Sequence, residues 1–242
     1  MIIAVVGSLY IVSTPIGNLE DITLRAIRVL REVDMIAAED TRVTRRLLDA
    51  HDVRTPMVSF HEHSGGRRVA ELVDRLSSGD VALVSDAGTP GINDPGYPLV
   101  AAALGAGYPV VPIPGASAVL AALVGSGLPM HAFCFRGFLP RKAGERRRAF
   151  AALAEADGST VFYESPHRIA AALREAVEVL GPSRPAAVAR ELTKKFEEIR
   201  RGGLADLAEQ FGRRTVRGEI TLVIGPAQRA TRAQQPSSRG TD

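Results

Sequence analysis

The segment 85–96, SDAGTPGINDPG, gathers Asp86, Thr89, Asn93 and Asp94 among three glycines and two prolines. It follows the apolar run 81–84 and precedes a stretch with helical spacing, so it reads as a strand-end loop. Glycine and proline at this density let the backbone turn sharply and approach a ligand, while the polar side chains offer hydroxyl, amide and carboxylate partners. Two further loops have the same character. STPIGNL at 13–19 follows the run 9–12, and PIPGASA at 112–118 stands between the run at 110–111 and a helix extending through Val124. The last of these puts small residues at a helix N-terminus, where free N–H groups and the helix dipole hold a carboxylate or phosphate. Neither Gly-x-Gly-x-x-Gly nor Gly-Lys-Ser/Thr occurs, which argues against a nicotinamide dinucleotide or a nucleoside triphosphate as the ligand.

Other strand ends carry groups that can move protons or bind anions. Glu39 and Asp40 follow the run 35–38, with Arg42 placed to pair with a carboxylate or a phosphate. The plain alternative for Asp40 is a helix N-cap with Arg42 as its counter-ion. Glu164 and His167 follow the run 160–163 in a proline-containing turn, where a lone histidine is more often structural than catalytic. His61 and His63 end a third strand, but no Cys or His at suitable spacing accompanies them, so no metal site is expected. Basic residues gather after residue 140, at Arg141–Lys142 and Arg146–Arg148, and again at Lys194–Lys195 and Arg200–Arg201. These are the best candidates for phosphate contacts, although a run of charge is usually a solvated helix face. Glu191, Glu197 and Glu198 lie among the lysines and can orient them.

The elements that must position these groups alternate. Apolar runs rich in Val, Ile and Ala recur at 9–12, 35–38, 57–60, 81–84 and 110–113, with helical spacing between them, which predicts a parallel α/β sheet. Helices are expected at 22–33 behind Asp21, at 43–50 behind Thr41, and at 96–106 opened by Pro95. Right-handed crossovers then bring every strand-to-helix loop to one sheet edge, the ligand edge of open α/β folds. The pattern breaks at Gly125, Gly127, Pro129, Gly137 and Pro140. This divides the chain into an N-terminal α/β domain, 1–126, and a smaller mixed-sheet α/β domain, 127–226, with helices at 143–156, 169–180 and 204–211 and strands at 160–163, 186–190 and 219–224. The polar remainder, 227–242, has no apolar period and is expected to be disordered.

The 242 residues are 45% hydrophobic, ordinary for a soluble protein with a full core. The net charge is +3, and Arg229, Arg232 and Arg239 against Asp242 place +2 of it in the tail, so total charge gives no case for nucleic acid. No run approaches the roughly 18 apolar residues that cross a bilayer, and 1–6 lacks the charged flank of a secretory signal; a cytoplasmic protein is expected. Cys134, between Phe133 and Phe135, reads as a buried strand residue.

Taken together, TPIGNL at 14–19, EDTR at 39–42, SFHEH at 59–63, SDAGTP at 85–90 with DPG at 94–96, and PGASA at 114–118 resemble the tetrapyrrole-methylase superfamily. GFLP at 137–140, YESPHR at 163–168, RELTKKFEE at 190–198 and RGE at 217–219 are more similar to its ribosomal RNA small subunit methyltransferase I branch. The resemblance runs from about Ser8 to Gly225. It implies methyl transfer from S-adenosylmethionine to a cytidine ribose 2′-hydroxyl of 16S ribosomal RNA, by a homodimer with its cofactor cleft between two α/β domains. Pro15, Asp86, Ala87, Gly88, Thr89, Pro90, Ile92, Asn93, Gly115, Ala116, Ser117 and Glu219 would bind the cofactor. By their strand-end positions, Glu39, Glu164 and His167 are the candidates for the base. Arg42, His61, His63, Arg141, Lys142, Arg168, Lys194 and Lys195 would meet RNA. Two departures stand out: Asn93 replaces the usual serine, and Ser64, Gly65 and Gly66 follow His63 where asparagine and glutamate are usual. A tetrapyrrole methyltransferase, a non-catalytic assembly factor that keeps the cofactor pocket, and a phosphosugar-binding domain are the competing readings.

Overall fold

A computed structural model describes residues 7–227. The N-terminal run 1–6 and, beyond Ala227, the expected disordered tail lie outside the described residues.

Five short strands, β1 (Leu9–Val12), β2 (Met35–Ala38), β3 (Met57–Ser59), β4 (Val81–Val84) and β5 (Val110–Ile113), form a parallel sheet in the order β3-β2-β4-β1-β5. The apolar character of β1, β2 and β4 follows from burial on both faces, and it weakens at the edge strands β3 and β5. Ala38, Ala82 and Val84 face Val29 and Leu30 of α1 (Leu24–Glu32) and Leu48 of α2 (Thr41–Ala50). Ala37 and Leu83 face Leu72 of α3 (Gly66–Arg75) and Leu99 and Ala103 of α4 (Tyr97–Gly105). The helix expected at 22–33 starts later, at Leu24: Asn18 and Thr23 are both capable caps, Asn18 starts a 3-10 turn over Leu19–Asp21, and Thr23 accepts the Ala26 N–H at 3.0 Å to cap α1.

The next helix, α5 (Ala118–Ser126), turns its apolar side the other way. Val119, Ala122 and Leu123 pack on Val161, Ala187, Ala189 and Val223 of a second sheet, together with Ile16 from the loop after β1. That sheet holds β6 (Phe133–Phe138), β7 (Ser159–Glu164), β8 (Pro185–Arg190), β9 (Glu198–Gly203) and β10 (Ile220–Ile224) in the order β6-β7-β10-β8-β9. It is mixed: β6 and β7 run parallel, and the other neighbours antiparallel. Its far face is covered by α6 (Ala143–Ala151), α7 (Ile169–Leu180) and α8 (Leu204–Gly212), with Phe150, Phe162 and Phe211 at the centre.

Three expectations need correction. Cys134 is exposed, because β6 is an edge strand that among the described residues pairs with β7 alone. The helix from 143 stops at Ala151, and 152–156 is a looser turn. Strand β9 was not expected at all; its sequence, EIRRGG, has the charged character of an edge.

Candidate cofactor and substrate site

The loops after β1, β4 and β5 are bonded to one another. Thr14 and Gly88 exchange backbone hydrogen bonds at 2.9 and 3.1 Å, and the Thr14 hydroxyl donates to the Ser85 carbonyl at 3.0 Å. The hydroxyls of Ser13 and Thr89 are 2.8 Å apart. Gly115 of the third loop lies against Ser13 so closely that a Cβ there would come within 2.9 Å of the serine Cβ. Gly88 and Asn93 both have positive φ, 81° and 64°. Asparagine tolerates that left-handed region better than most residues, which accounts physically for Asn93.

Between these loops and the second sheet lies a cavity of about 370 Å³. Gly88, Thr89, Ile92 and Asn93 form one side, Ser117 and Ala118 at the capped start of α5 another. Phe138 and Tyr163 close it from β6 and β7, and Glu219 and Thr221 from the start of β10. A second hollow of about 280 Å³ adjoins it, walled by the loop after β1, the first turns of α2, residues 85–87 and Lys194. Ile16, Ala87 and Glu219 line both.

Of the expected cofactor residues, Ala87, Gly88, Thr89, Ile92, Asn93, Ser117 and Glu219 line the larger cavity. Asp86 and Pro15 line the smaller hollow, Pro90 is buried outside both linings, Gly115 braces the loop after β1, and Ala116 packs with α5. Phe138, Tyr163 and Thr221 were not foreseen. Tyr163 carried a signal, since it ends a strand beside Glu164; Phe138 and Thr221 owe their place to long-range pairing.

The acidic groups are distinct in setting. Glu39 accepts the Asp86 N–H at 3.3 Å, and burial, then the nearby charges of Asp86, Asp40 and Glu62, raise its pKa despite that bond. Burial pushes the Asp94 carboxyl up to about 6, with Glu39, Asp86 and Glu219 adding to the effect and a Ser85 hydrogen bond opposing it. Tyr163 is raised by burial and by Asp94 and Glu219, so its phenol stays neutral. Asp40 caps α2 through the Arg42 N–H at 2.8 Å and pairs with the Arg42 guanidinium at 2.7 Å. Glu164 is fully buried; one oxygen accepts from the Ser165 N–H and the Arg168 guanidinium, both at 2.5 Å. The acid therefore holds Arg168 inward at the β7–α7 turn. His167 is exposed on that turn, bonded through its backbone to the Ser165 hydroxyl at 3.3 Å.

The expected RNA-facing residues are dispersed. His61 and His63 are exposed beyond β3 with their rings 6.1 Å apart, and among the described residues no group of three His, Cys, Asp or Glu is arranged to hold a metal. Arg141 and Lys195 are exposed, and Lys142 approaches Glu145 at 3.5 Å. Lys194 turns in to Glu191 at 2.9 Å and Glu219 at 3.0 Å; burial alone would lower its pKa, but these two carboxylates raise it. Arg146, grouped with the basic run in the sequence, is buried and donates two bonds to Glu175, at 2.8 and 2.6 Å.

Residues 8–208 match the family model described as Tetrapyrrole (Corrin/Porphyrin) Methylases. The chain is 50% identical over 232 residues to ribosomal RNA small subunit methyltransferase I of Mesorhizobium japonicum, covering 95% of this chain and 78% of that one. It is 52% identical over 220 residues to the protein of the same name from Micromonospora olivasterospora, covering 90% and 70%. The chain belongs to the tetrapyrrole methylase family, in its ribosomal RNA small subunit methyltransferase I branch. Among solved structures, a cobalt precorrin-4 methyltransferase superposes with a TM-score of 0.68 at 18% identity, over 90% of this chain and 94% of that one. Uroporphyrin-III C-methyltransferase from Thermus thermophilus, complexed with S-adenosylhomocysteine, does so with a TM-score of 0.62 at 23% identity, over 90% and 97%. At those identities the likeness is one of fold.

Proposed function

We propose that the protein transfers a methyl group from S-adenosylmethionine to a cytidine ribose 2′-hydroxyl of 16S ribosomal RNA, acting on the small subunit, in the cytoplasm and as a homodimer. One observation carries this: a cavity of about 370 Å³, formed where three strand-end loops meet the second sheet, in a chain half identical to small subunit ribosomal RNA methyltransferases over most of its length. Among the described residues no helix is long and apolar enough to cross a membrane.

The lining fits a sulfonium nucleoside. Ile92, Phe138 and Tyr163 offer apolar faces for an adenine ring, and Thr89, Ser117 and Thr221 offer hydroxyls for its polar edges. Asp94 and Glu219 bring negative charge toward a cationic ligand. Bound there, the cofactor supplies an activated methyl group. The chain's own part is to align a hydroxyl with it, and alignment alone is worth up to roughly 7–11 kcal/mol in the best cases. A ribose hydroxyl also gives up its proton more readily to a positioned base, a gain on the order of 10²–10⁴. We assign that base to Glu39, whose pKa is raised by burial and which accepts the backbone N–H of Asp86, a residue lining the smaller hollow. Glu164, engaged with Arg168, keeps the β7–α7 turn in place, with His167 exposed beside it. Arg42, Arg141, Lys142 and Lys195 are assigned to RNA phosphates.

Incubation with labelled S-adenosylmethionine and undermethylated small subunits tests this reading. Label is expected at one cytidine ribose. Binding of S-adenosylhomocysteine without label in RNA would leave a non-catalytic assembly factor, and label in a tetrapyrrole instead would overturn the substrate.

A further inference from the structure

Beside the cofactor cavity, the 280 Å³ hollow takes only Pro15 and Asp86 of the expected cofactor residues for itself and shares Ile16, Ala87 and Glu219 with the cavity. We infer that it receives the base of the target nucleotide, turned out of the RNA stack, with the ribose resting over the shared seam; this rests on the functional reading above. Its walls combine the two features such a ligand requires. Leu19 and Val43 are 46% and 39% exposed, and with the buried Leu47 they form an apolar side that a flat ring would cover. Below them, Thr44 is only 3% exposed, and its hydroxyl has no hydrogen-bond partner among the described residues. A buried hydroxyl left in that state is costly, and a turn of the Thr44 side chain toward the hollow lets the polar edge of a base supply the missing bond.

The rim adds a sense of direction. Asp86 contributes a carboxylate, and Arg46 and Lys194 contribute cations. A cytosine presents an amino donor beside two acceptors; with Glu219 already held by Lys194, the Asp86 carboxylate is left to accept from the amino group and the cations to donate to the acceptors. Uracil presents a carbonyl where the amino group stands, and a carboxylate facing it is repelled. Reading one nucleotide of a folded RNA generally requires its base to be unstacked and held in a pocket. The hollow is where this chain has the room, and its position places the adjoining sugar at the cavity mouth.

Val43→Trp and Leu19→Trp fill the hollow from partly exposed positions, so the fold is retained, which circular dichroism checks. The expected result is S-adenosylhomocysteine affinity by calorimetry within about twofold of the unmodified protein, with kcat/KM for undermethylated small subunits reduced at least about 100-fold. Thr44→Val, which removes only the hydroxyl, should cost about tenfold in the same ratio. Saturation-transfer NMR in the presence of S-adenosylhomocysteine should detect cytidine 5′-monophosphate, more strongly than uridine 5′-monophosphate, and Val43→Trp should abolish the signal. Undiminished RNA methylation by both tryptophan variants would overturn the inference while leaving the methyltransferase reading intact. Failure of the unmodified protein to bind S-adenosylhomocysteine or to label RNA would overturn both.

Discussion

Lys194 reaches from the β8–β9 turn to place its Nζ 3.0 Å from a carboxylate oxygen of Glu219, one of three residues that line both hollows. The same ammonium is 2.9 Å from Glu191, whose carboxylate in turn accepts the Glu219 N–H at 3.0 Å. The three residues form a closed unit that fixes the wall between cofactor and substrate. Charged hydrogen bonds of this kind are worth roughly 1.5–3 kcal/mol, less when partly exposed. Lys194→Met should therefore lower kcat/KM for RNA by about tenfold, with Lys194→Arg recovering part of the loss. Steady-state methylation of small subunits measures this, and an unchanged rate would remove Lys194 from the site.

Gly218 stands at φ 88° with its α-carbon against the Glu191 carboxylate, so an added Cβ would overlap that side chain. Gly218→Ala is expected to cost about 1–3 kcal/mol in denaturant unfolding and to weaken S-adenosylhomocysteine binding. Gly144→Ala is the control. Gly144 lies within α6 with nothing near its missing Cβ, and that change should stabilise by roughly 0.5–1 kcal/mol.

Asp94 gives the site a pH dependence. Its carboxyl titrates at about 6, against an ordinary 3.8, because it is buried among acids. The proton is thus held more tightly in the folded state. Its contribution to stability is full below the ordinary value and declines as pH rises through about 6. Asp94→Asn should raise the melting temperature at neutral pH and have little effect near pH 3.8. Binding runs the other way: S-adenosylmethionine is cationic and S-adenosylhomocysteine is not, so preference for the former should grow as Asp94 ionises. Calorimetry on both sides of pH 6 should find this ratio flattened in Asp94→Asn.

Arg146 and Arg141 are separated by five residues and differ in physical role. Arg146 and Glu175 have side chains only 7% and 13% exposed, and breaking such a pair leaves an uncompensated charge. Arg146→Met should cost about 3–5 kcal/mol of stability without altering the salt dependence of RNA binding. Arg141→Ala should change stability by less than about 0.5 kcal/mol and reduce the salt slope by about 0.7–0.9.

Much of this arrangement was legible from local chemistry. The inner strands of the first sheet, β4 buried throughout and β1 and β2 nearly so, read as unbroken apolar runs, and the loops after β1, β4 and β5 stood out by glycine and proline because their backbones must turn and touch. Edge strands were harder. In β9, Arg200 and Arg201 are both exposed and mask any alternation, and in β6 a register shift between Phe135 and Phe138 interrupts it. The same exposure explains Cys134, whose aromatic neighbours suggested a core that its sheet position does not provide. Among the basic residues, sequence spacing could not separate Arg146 and Lys194, each tied to carboxylates distant in sequence, from Arg141 and Lys195 on the surface.

Helix α5 follows the first sheet in sequence but lays Val119, Ala122 and Leu123 on the second. Severing the chain just after Ser126 would hand the greasy lid to the wrong fragment and leave the remainder bare and prone to clump. A split-reporter or circular permutant of this protein would best open ahead of Ala118, keeping the helix with the layer it shields.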